Sequence, residues 1–257
     1  MKPDRNLIFD IGMHIGQDTD FYLKKGFKVV AVEANPALAA QNTERFAAAI
    51  ADGRLAIVDK ALGAEAGRTK FYVNNQVSEW SSVNKTLGQR AAGATEIDIE
   101  MTTIGDLFGR YGVPYYMKID IEGADLLPIK GLRGVPVRPV HVSYEAANID
   151  GAVILANLGY AQFKLVDQRE LPVLSLPKPA LEGEYAEHTF PLGSSGPFGE
   201  ETPGPWGTLE QAITDYVLYK HFRRVDTRRK QTWTDFHARS EWFARMFADA
   251  PDRGPRL

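Results

Sequence analysis

The sequence predicts an α/β protein built on a doubly wound, mostly parallel sheet. Three observations carry this. Short apolar runs without a helical period recur at residues 7–12, 28–34 and 55–62, as buried strands do. The stretches between them read as helices, so strand and helix alternate at the spacing of right-handed βαβ units. The first run turns at a pair of glycines, Gly12 and Gly16, and the second ends on a carboxylate, Glu33. That is the layout of a nucleoside-binding half-site.

Residues 18–25 carry acids first and lysines last, followed by Gly26, which suits a helix dipole and its C-terminal glycine. Asn35 can cap and Pro36 can begin a helix running to about residues 52–53. Residues 71–73 and 97–101 read as shorter strands around a polar loop, 74–95. A short helix is expected over 103–111, a fourth main strand over 115–121 and a weak helix over 125–132, weak because Pro128 lies inside it. A fifth strand over 137–144 ends at Glu145, a helix spans 149–158, and a sixth strand spans 161–166. Residues 171–207 are rich in proline and glycine and predict an irregular excursion. Thr208 and Gln211 form a capping box for a helix with Leu209, Ile213, Tyr216 and Val217 on one face. A basic run follows, then a last strand over 231–237 and a terminal helix over 241–247. The whole is read as one domain, 1–257, with 171–229 inserted before the seventh strand.

The bulk composition narrows the function. A chain of 257 residues with a net charge of −3 and 44% hydrophobic residues is ordinary for a soluble globular protein and asks for no polyanionic partner. There are no cysteines, which excludes disulfides, thiolate metal sites and cysteine nucleophiles. The apolar run near the N-terminus is too short for a signal segment, and no stretch approaches the ~20 apolar residues of a membrane span. The expectation is a cytoplasmic protein that binds neither membrane nor nucleic acid.

The chemistry of the opening stretch lies in Asp10-x-Gly12-x-x-x-Gly16. Gly12 permits a tight turn with close backbone approach, and Gly16 opens a helix whose free N–H groups suit a carboxylate or phosphate. Glu33 can accept both hydroxyls of a ribose. A dinucleotide usually wants a third glycine, missing from G-M-H-I-G, and Asp10 serves a pyrophosphate poorly. S-adenosylmethionine, with its ammonium, sulfonium, carboxylate and ribose diol, fits the set better. An NAD(P)-dependent oxidoreductase and a non-catalytic nucleoside-binding module are the alternatives.

The segments IFDIGMHIGQDT, VVAVEANP, VDKALG and MKIDIEGAD resemble class I S-adenosylmethionine-dependent methyltransferases, and within them the FkbM family. WTDFHAR near the C-terminus is also family-like. His14 departs from the asparagine common there. The resemblance implies a Rossmann-like sheet of seven strands with the last antiparallel, and O-methylation of small molecules or saccharides with S-adenosylhomocysteine as product. Carried over by position, Asp10, Gly12, His14, Gly16 and Thr19 would surround the methionine moiety. Glu33 would hold the ribose with Asn35 flanking it, Asp59 and Ala61 would lie along the adenine, and Ser82 would sit in a loop near the cofactor.

Ligands of doubly wound sheets lie beyond the carboxyl ends of the strands. A hydroxyl acceptor needs a base, and Asp120 at the end of strand four is the first candidate, followed by Glu145 and Glu122. Asp120 is equally readable as a group that orients the cofactor. His141 has a suitable intrinsic pKa but sits deeper in its strand, where a hydrogen-bonded core histidine is the commoner case. Asp120 with Glu145 could begin an oxygen-ligand site for a divalent ion; the spacing does not demand one, and no metal is assigned. The segment N/D/S-P-P-Y/F of exocyclic base methylases is absent, the chain having D-I-E-G, and cytosine C5 chemistry lacks its cysteine. The insert, with Phe198, Trp206 and Tyr216, is read as a lid, an acceptor pocket or a homodimer contact. The basic run Arg223, Arg224, Arg228, Arg229 and Lys230 is read as a solvated helix end rather than a phosphate site.

Overall fold

The computed structural model describes residues 2–90, 93–225 and 233–241. The chain runs β1 (Asp4–Ile11), α1 (Gln17–Lys24), β2 (Lys28–Glu33), α2 (Pro36–Arg45), α3 (Ala47–Ala51), β3 (Leu55–Asp59), β4 (Ala61–Leu62), β5 (Gly67–Asn74), α4 (Lys85–Gly88) and β6 (Ala94–Thr102). It continues with α5 (Ile104–Tyr111), β7 (Pro114–Ile119), α6 (Leu126–Gly131), β8 (His141–Glu145), α7 (Asp150–Asn157), β9 (Gln162–Asp167), α8 (Leu209–Val225) and β10 (Thr234–Arg239). The main sheet has seven strands in the order β3-β2-β1-β7-β8-β10-β9. All pairings are parallel except those of β10, which is antiparallel to β8 and β9. The expected Rossmann-like architecture is therefore the observed one. No helix among the described residues is long and apolar enough to cross a membrane.

Several elements differ from the sequence expectation. The expected strand 55–62 divides: β3 stays in the main sheet, while β4 joins a second, three-stranded sheet of order β4-β6-β5. The two short strands flanking the polar loop are longer than expected and form this second sheet. The helix after Pro36 breaks at Phe46, whose backbone leaves helical geometry so that its ring packs beside Gly16. The fifth strand starts only at His141, because Pro139 has no N–H to give a ladder. Pro128 is tolerated in α6 because it lies in the first turn, where its N–H is not needed. On α8 the buried side is Ala212, Tyr216 and Tyr219; Val217 is 58% exposed, since a long straight helix continues its apolar row at i+3 and i+4 rather than i+8. Arg228, Arg229, Lys230, residues 231–232 of the last strand and all but the first residue of the expected terminal helix lie outside the described residues.

The two faces of the main sheet differ in kind. One face presents Phe9, Ile11, Met117, Ile119, Val142, Tyr144 and Phe236 to residues of α5, α6, α7 and α8. The register places Asp10, Tyr116, Lys118, His141, Ser143, Asp235, His237 and Lys164 on the other. That face is covered by α1 and by the irregular segment 168–207. Phe198 of this segment stacks on Tyr116 at 4.5 Å, and Phe190 meets Phe21 edge-on at 4.8 Å.

The segment expected as a single insert thus divides between faces: its irregular part covers the polar face and α8 the apolar one. It is fastened rather than loose. Lys25 of the α1 C-terminus pairs with Glu201 at 2.9 Å, both side chains fully buried, and donates to Glu184 O at 3.0 Å. Glu201 Oε1 also accepts the N–H groups of Leu181 and Glu182. Phe198, Trp206 and Tyr216 are spent internally: Trp206 lies between Lys164 and Arg239, and Tyr216 donates to Ala147 O at 2.6 Å. Glu201→Gln, which removes the charge and keeps the shape, is expected to lower stability by about 1.5–3 kcal/mol, as for a lost charged hydrogen bond. Equilibrium urea unfolding measures it.

Candidate functional site

Chain order reverses direction between β1 and β7, and the crevice of a doubly wound sheet opens at such a point. Here a cleft of about 840 Å³, its open mouth included, lies beyond the carboxyl ends of β1, β2 and β7. One wall is the sheet edge with Gly12, His14, Glu33, Asp120 and Glu122. The other comes from the second sheet with Phe71, Ser78, Ser81 and Val83.

The glycine turn is built by the strands around it. Gly12 and Met13 both donate to Val32 O, at 2.9 and 3.0 Å, and Asp120 N–H donates to Ile11 O at 2.8 Å. Gly12 has φ +90°, and a Cβ there would lie 1.7 Å from Asp120 O. The close approach that demands glycine is therefore that of the β7 end. Gly16 precedes α1 with φ +80° against Phe46 and Asn42.

Glu33 is fixed from two sides. His14 N–H donates to Oε2 at 2.7 Å and Asn35 N–H to Oε1 at 2.8 Å. Burial raises its pKa to about 7, against the pull of these two N–H groups. Asn35 also caps α2 by accepting from Ala37 N–H, so it acts through Glu33 and the helix rather than from the cleft wall.

Asp10 does not reach the cleft wall. It is fully buried, accepts from Thr19 Oγ1 at 2.6 Å and pairs with Lys118 at 3.1 Å. Lys118 is the residue that sequence reasoning passed over. Its Nζ donates to Gly12 O at 2.8 Å and stands 3.4 Å from Asp18 and 3.9 Å from Asp120. Burial works against its charge, but the three carboxylates outweigh it and hold the pKa well above the ordinary lysine value. The available signal was a lysine inside an otherwise apolar strand, MKIDI, because a buried ammonium requires partners. Asp18, also missed, has its pKa raised to about 6 by burial and accepts Ser195 N–H at 3.0 Å. Through this bond and Gly193, segment 168–207 reaches the cleft.

The carboxylates divide by position. Asp120 and Glu122 line the cleft, and with Glu145 they offer oxygens within 4.8 Å of one another. Burial first, then the Asp120 charge, raises Glu122 to about 7 and Glu145 to about 9. Glu122 is engaged by Arg90 at 2.9 Å. Buried Asp235, paired with Glu145 in the sheet register, is raised to about 8, mainly by burial. His141 lies outside this group: its Nε2 is 3.2 Å from Tyr115 OH, and burial pushes its pKa down to about 3. Ala61 lines the cleft; Asp59 is exposed at the β3 end. Ser82 is buried and donates to Glu122 O at 2.7 Å, while its neighbour Ser81 faces the cleft.

The model of the methyltransferase FkbM domain matches residues 10–156, more than half of the chain. Among solved structures the chain is similar to the methyltransferase FkbM of Methylobacillus flagellatus KT, with 18% identity and a TM-score of 0.40, over 62% of this chain and 37% of that one. It is also similar to precorrin-6y C5,15-methyltransferase of Geobacter metallireducens GS-15, with 10% identity and a TM-score of 0.40, over 93% of this chain and 82% of that one. The chain thus spans well under half of the first structure's length. No curated protein matches. The matched region holds the end of β1, the glycine turn, Glu33, Lys118, Asp120 and Glu145, and by that match the chain belongs to the FkbM family of methyltransferases.

Proposed function

We propose that the protein transfers a methyl group from S-adenosylmethionine to a hydroxyl of a small molecule or saccharide. The supporting observation is one cleft with a doubly anchored carboxylate, Glu33, at one end and a 36% exposed carboxylate, Asp120, at the other. The donor set fits the nucleoside: each Glu33 oxygen keeps a lone pair beyond its N–H bond, and Ala34, Leu38, Leu62, Phe71 and Val83 give an apolar wall nearby. S-adenosylmethionine, when bound, supplies a methyl group on a positively charged sulfur.

Asp120 would accept the acceptor's hydroxyl proton as the oxygen–carbon bond forms and the carbon–sulfur bond breaks, leaving the neutral thioether S-adenosylhomocysteine. Lys118 holds the Gly12 carbonyl in place and gives Asp120 a nearby counter-charge, which positions rather than reacts. Asp18, Glu33, Glu79, Asp120 and Glu122 line the cleft, whereas its two lysines, Lys60 and Lys118, are engaged with Glu100 and Asp10. This charge balance favours a neutral or cationic acceptor over a phosphorylated one.

Glu33→Ala should weaken S-adenosylhomocysteine binding by about 1.5–3 kcal/mol, the range for a hydrogen bond to a charged group. Calorimetry measures it, and an unchanged affinity removes Glu33 from the site. Only the ionised carboxylate accepts from both ribose hydroxyls. Affinity should therefore rise from about pH 6 to about pH 8, either side of the Glu33 value of about 7, and Glu33→Gln should flatten that rise.

A further inference from the structure

Residues 74–90, at the end of β5 and beyond it, form an ordered body in their own right. Asn74, 3% exposed, donates from Nδ2 to Gly88 O and Arg90 O at 3.0 and 2.7 Å. Its Oδ1 accepts from Gln76 and Val77 N–H at 3.0 and 2.9 Å, and its N–H donates to Ser81 Oγ. Tyr72 and Ser82 exchange backbone bonds across it, and Asn84 caps α4. One side chain thus ties both ends of the loop, and Ser78, Glu79, Ser81 and Val83 come to face the cleft as a unit.

This body crosses to the opposite wall at two places. On one side His14 Nε2 meets Ser78 Oγ at 2.8 Å. On the other, Arg90 donates to Glu122 Oε2 at 2.9 Å and Ser82 Oγ to Glu122 O at 2.7 Å. Arg90 is braced for this by Leu87 O and by the Trp80 ring. Among the described residues only His14 and Glu122 combine a side chain with positive φ, both at 49°. Such backbone costs free energy and persists where the surroundings enforce it. Both strained residues of the sheet edge are those the loop grips.

We propose that His14 and Arg90 are positioning residues that latch the loop 74–90 across the cleft, so that release of the methyl donor and of its product requires the latches to open. The two latches straddle the space between Glu33 and Asp120, so a molecule seated there is held under the loop. A lid over a small-molecule site commonly governs release. Asparagine at 14 tolerates the same left-handed backbone but has a shorter side chain than the histidine that meets Ser78 at 2.8 Å. The inference rests on the donor reading for what lies under the loop, and on geometry alone for the latch.

The test uses the full-length protein with His14→Asn, Ser78→Ala and Arg90→Gln. Stopped-flow displacement should show S-adenosylhomocysteine leaving about fivefold faster, or more, from each variant, the size of one lost hydrogen bond. Hydrogen exchange in ligand-free protein should rise over 74–90 in each variant and stay unchanged in β1 and β7. Faster exchange confined to the loop, with unchanged dissociation, overturns control of release. Unchanged exchange over 74–90 overturns the latch itself. If wild-type protein binds no S-adenosylhomocysteine in calorimetry, the donor reading and control of its release fall together, while the exchange measurement still decides the latch.

Discussion

Lys118→Met is expected to destabilise the protein by roughly 3–5 kcal/mol, the cost of breaking a buried ion pair by removing one partner. The Lys118 side chain is 4% exposed, and its ammonium stands within 4.0 Å of Asp10, Asp18 and Asp120. Methionine fills similar space but leaves two buried acids, Asp10 and Asp18, without their cation, and Gly12 O without its donor. The deficit should depend on pH. Asp18 has a folded pKa of about 6 against an ordinary 3.8. A carboxyl raised in this way stabilises the fold below its unfolded value and loses that contribution as pH rises through the folded value. Removing Lys118 raises it further, so the variant should fall increasingly behind the wild type from acid towards neutral pH. Urea unfolding across that range measures the difference. A deficit below about 1 kcal/mol at neutral pH, the level of a surface pair, would show that Lys118 is not the organising charge.

Asp120→Asn is expected to lower kcat by about 10²–10⁴, the usual contribution of a positioned general base. The amide keeps shape and volume but accepts no proton at neutral pH. Asp120 does not share the restraints of Glu33 or Glu122: among the described residues no hydrogen bond to its carboxylate is seen, and its ion pair with Lys118 is long, at 3.9 Å. Donor affinity should therefore change little. The measurement pairs S-adenosylhomocysteine calorimetry with turnover of whichever hydroxylated acceptor the wild type methylates. A loss of affinity with kcat retained would make Asp120 an orienting group.

Much of this arrangement was legible in the residues because it depends on local chemistry. The runs at 7–12 and 28–34 are strands because nothing in them favours another state, and Glu33 is at the cleft because it ends one of them. What was not legible depends on contacts between distant segments. Nothing near Lys60 announces that the chain leaves one sheet for another there. Asp10 reads as a ligand-facing acid until Lys118, more than a hundred residues on, is seen to claim it. Gly12 reads as a concession to a ligand, but the atom it admits is Asp120 O. The proline- and glycine-rich segment reads as an irregular lid, acceptor pocket or dimer contact because it lacks periodicity, yet a face of the sheet already rich in polar groups takes irregular backbone as readily as a helix. Glu201 and Ser195 show this by bonding α1 from within it.

The Lys25–Glu201 and Asp18–Ser195 contacts also bear on how the molecule is made. They join residues separated by 176 and 177 positions. A chain emerging from the ribosome completes β1, α1 and β2 long before the segment that covers α1 exists. Until then Lys25 lacks Glu201, Phe21 lacks Phe190 and Tyr116 lacks Phe198. Such non-local closure slows folding and leaves apolar surface exposed in the interval. The stretch 10–156 that carries the family likeness thus leaves α1 uncovered in this protein until residues 181–201 have been made.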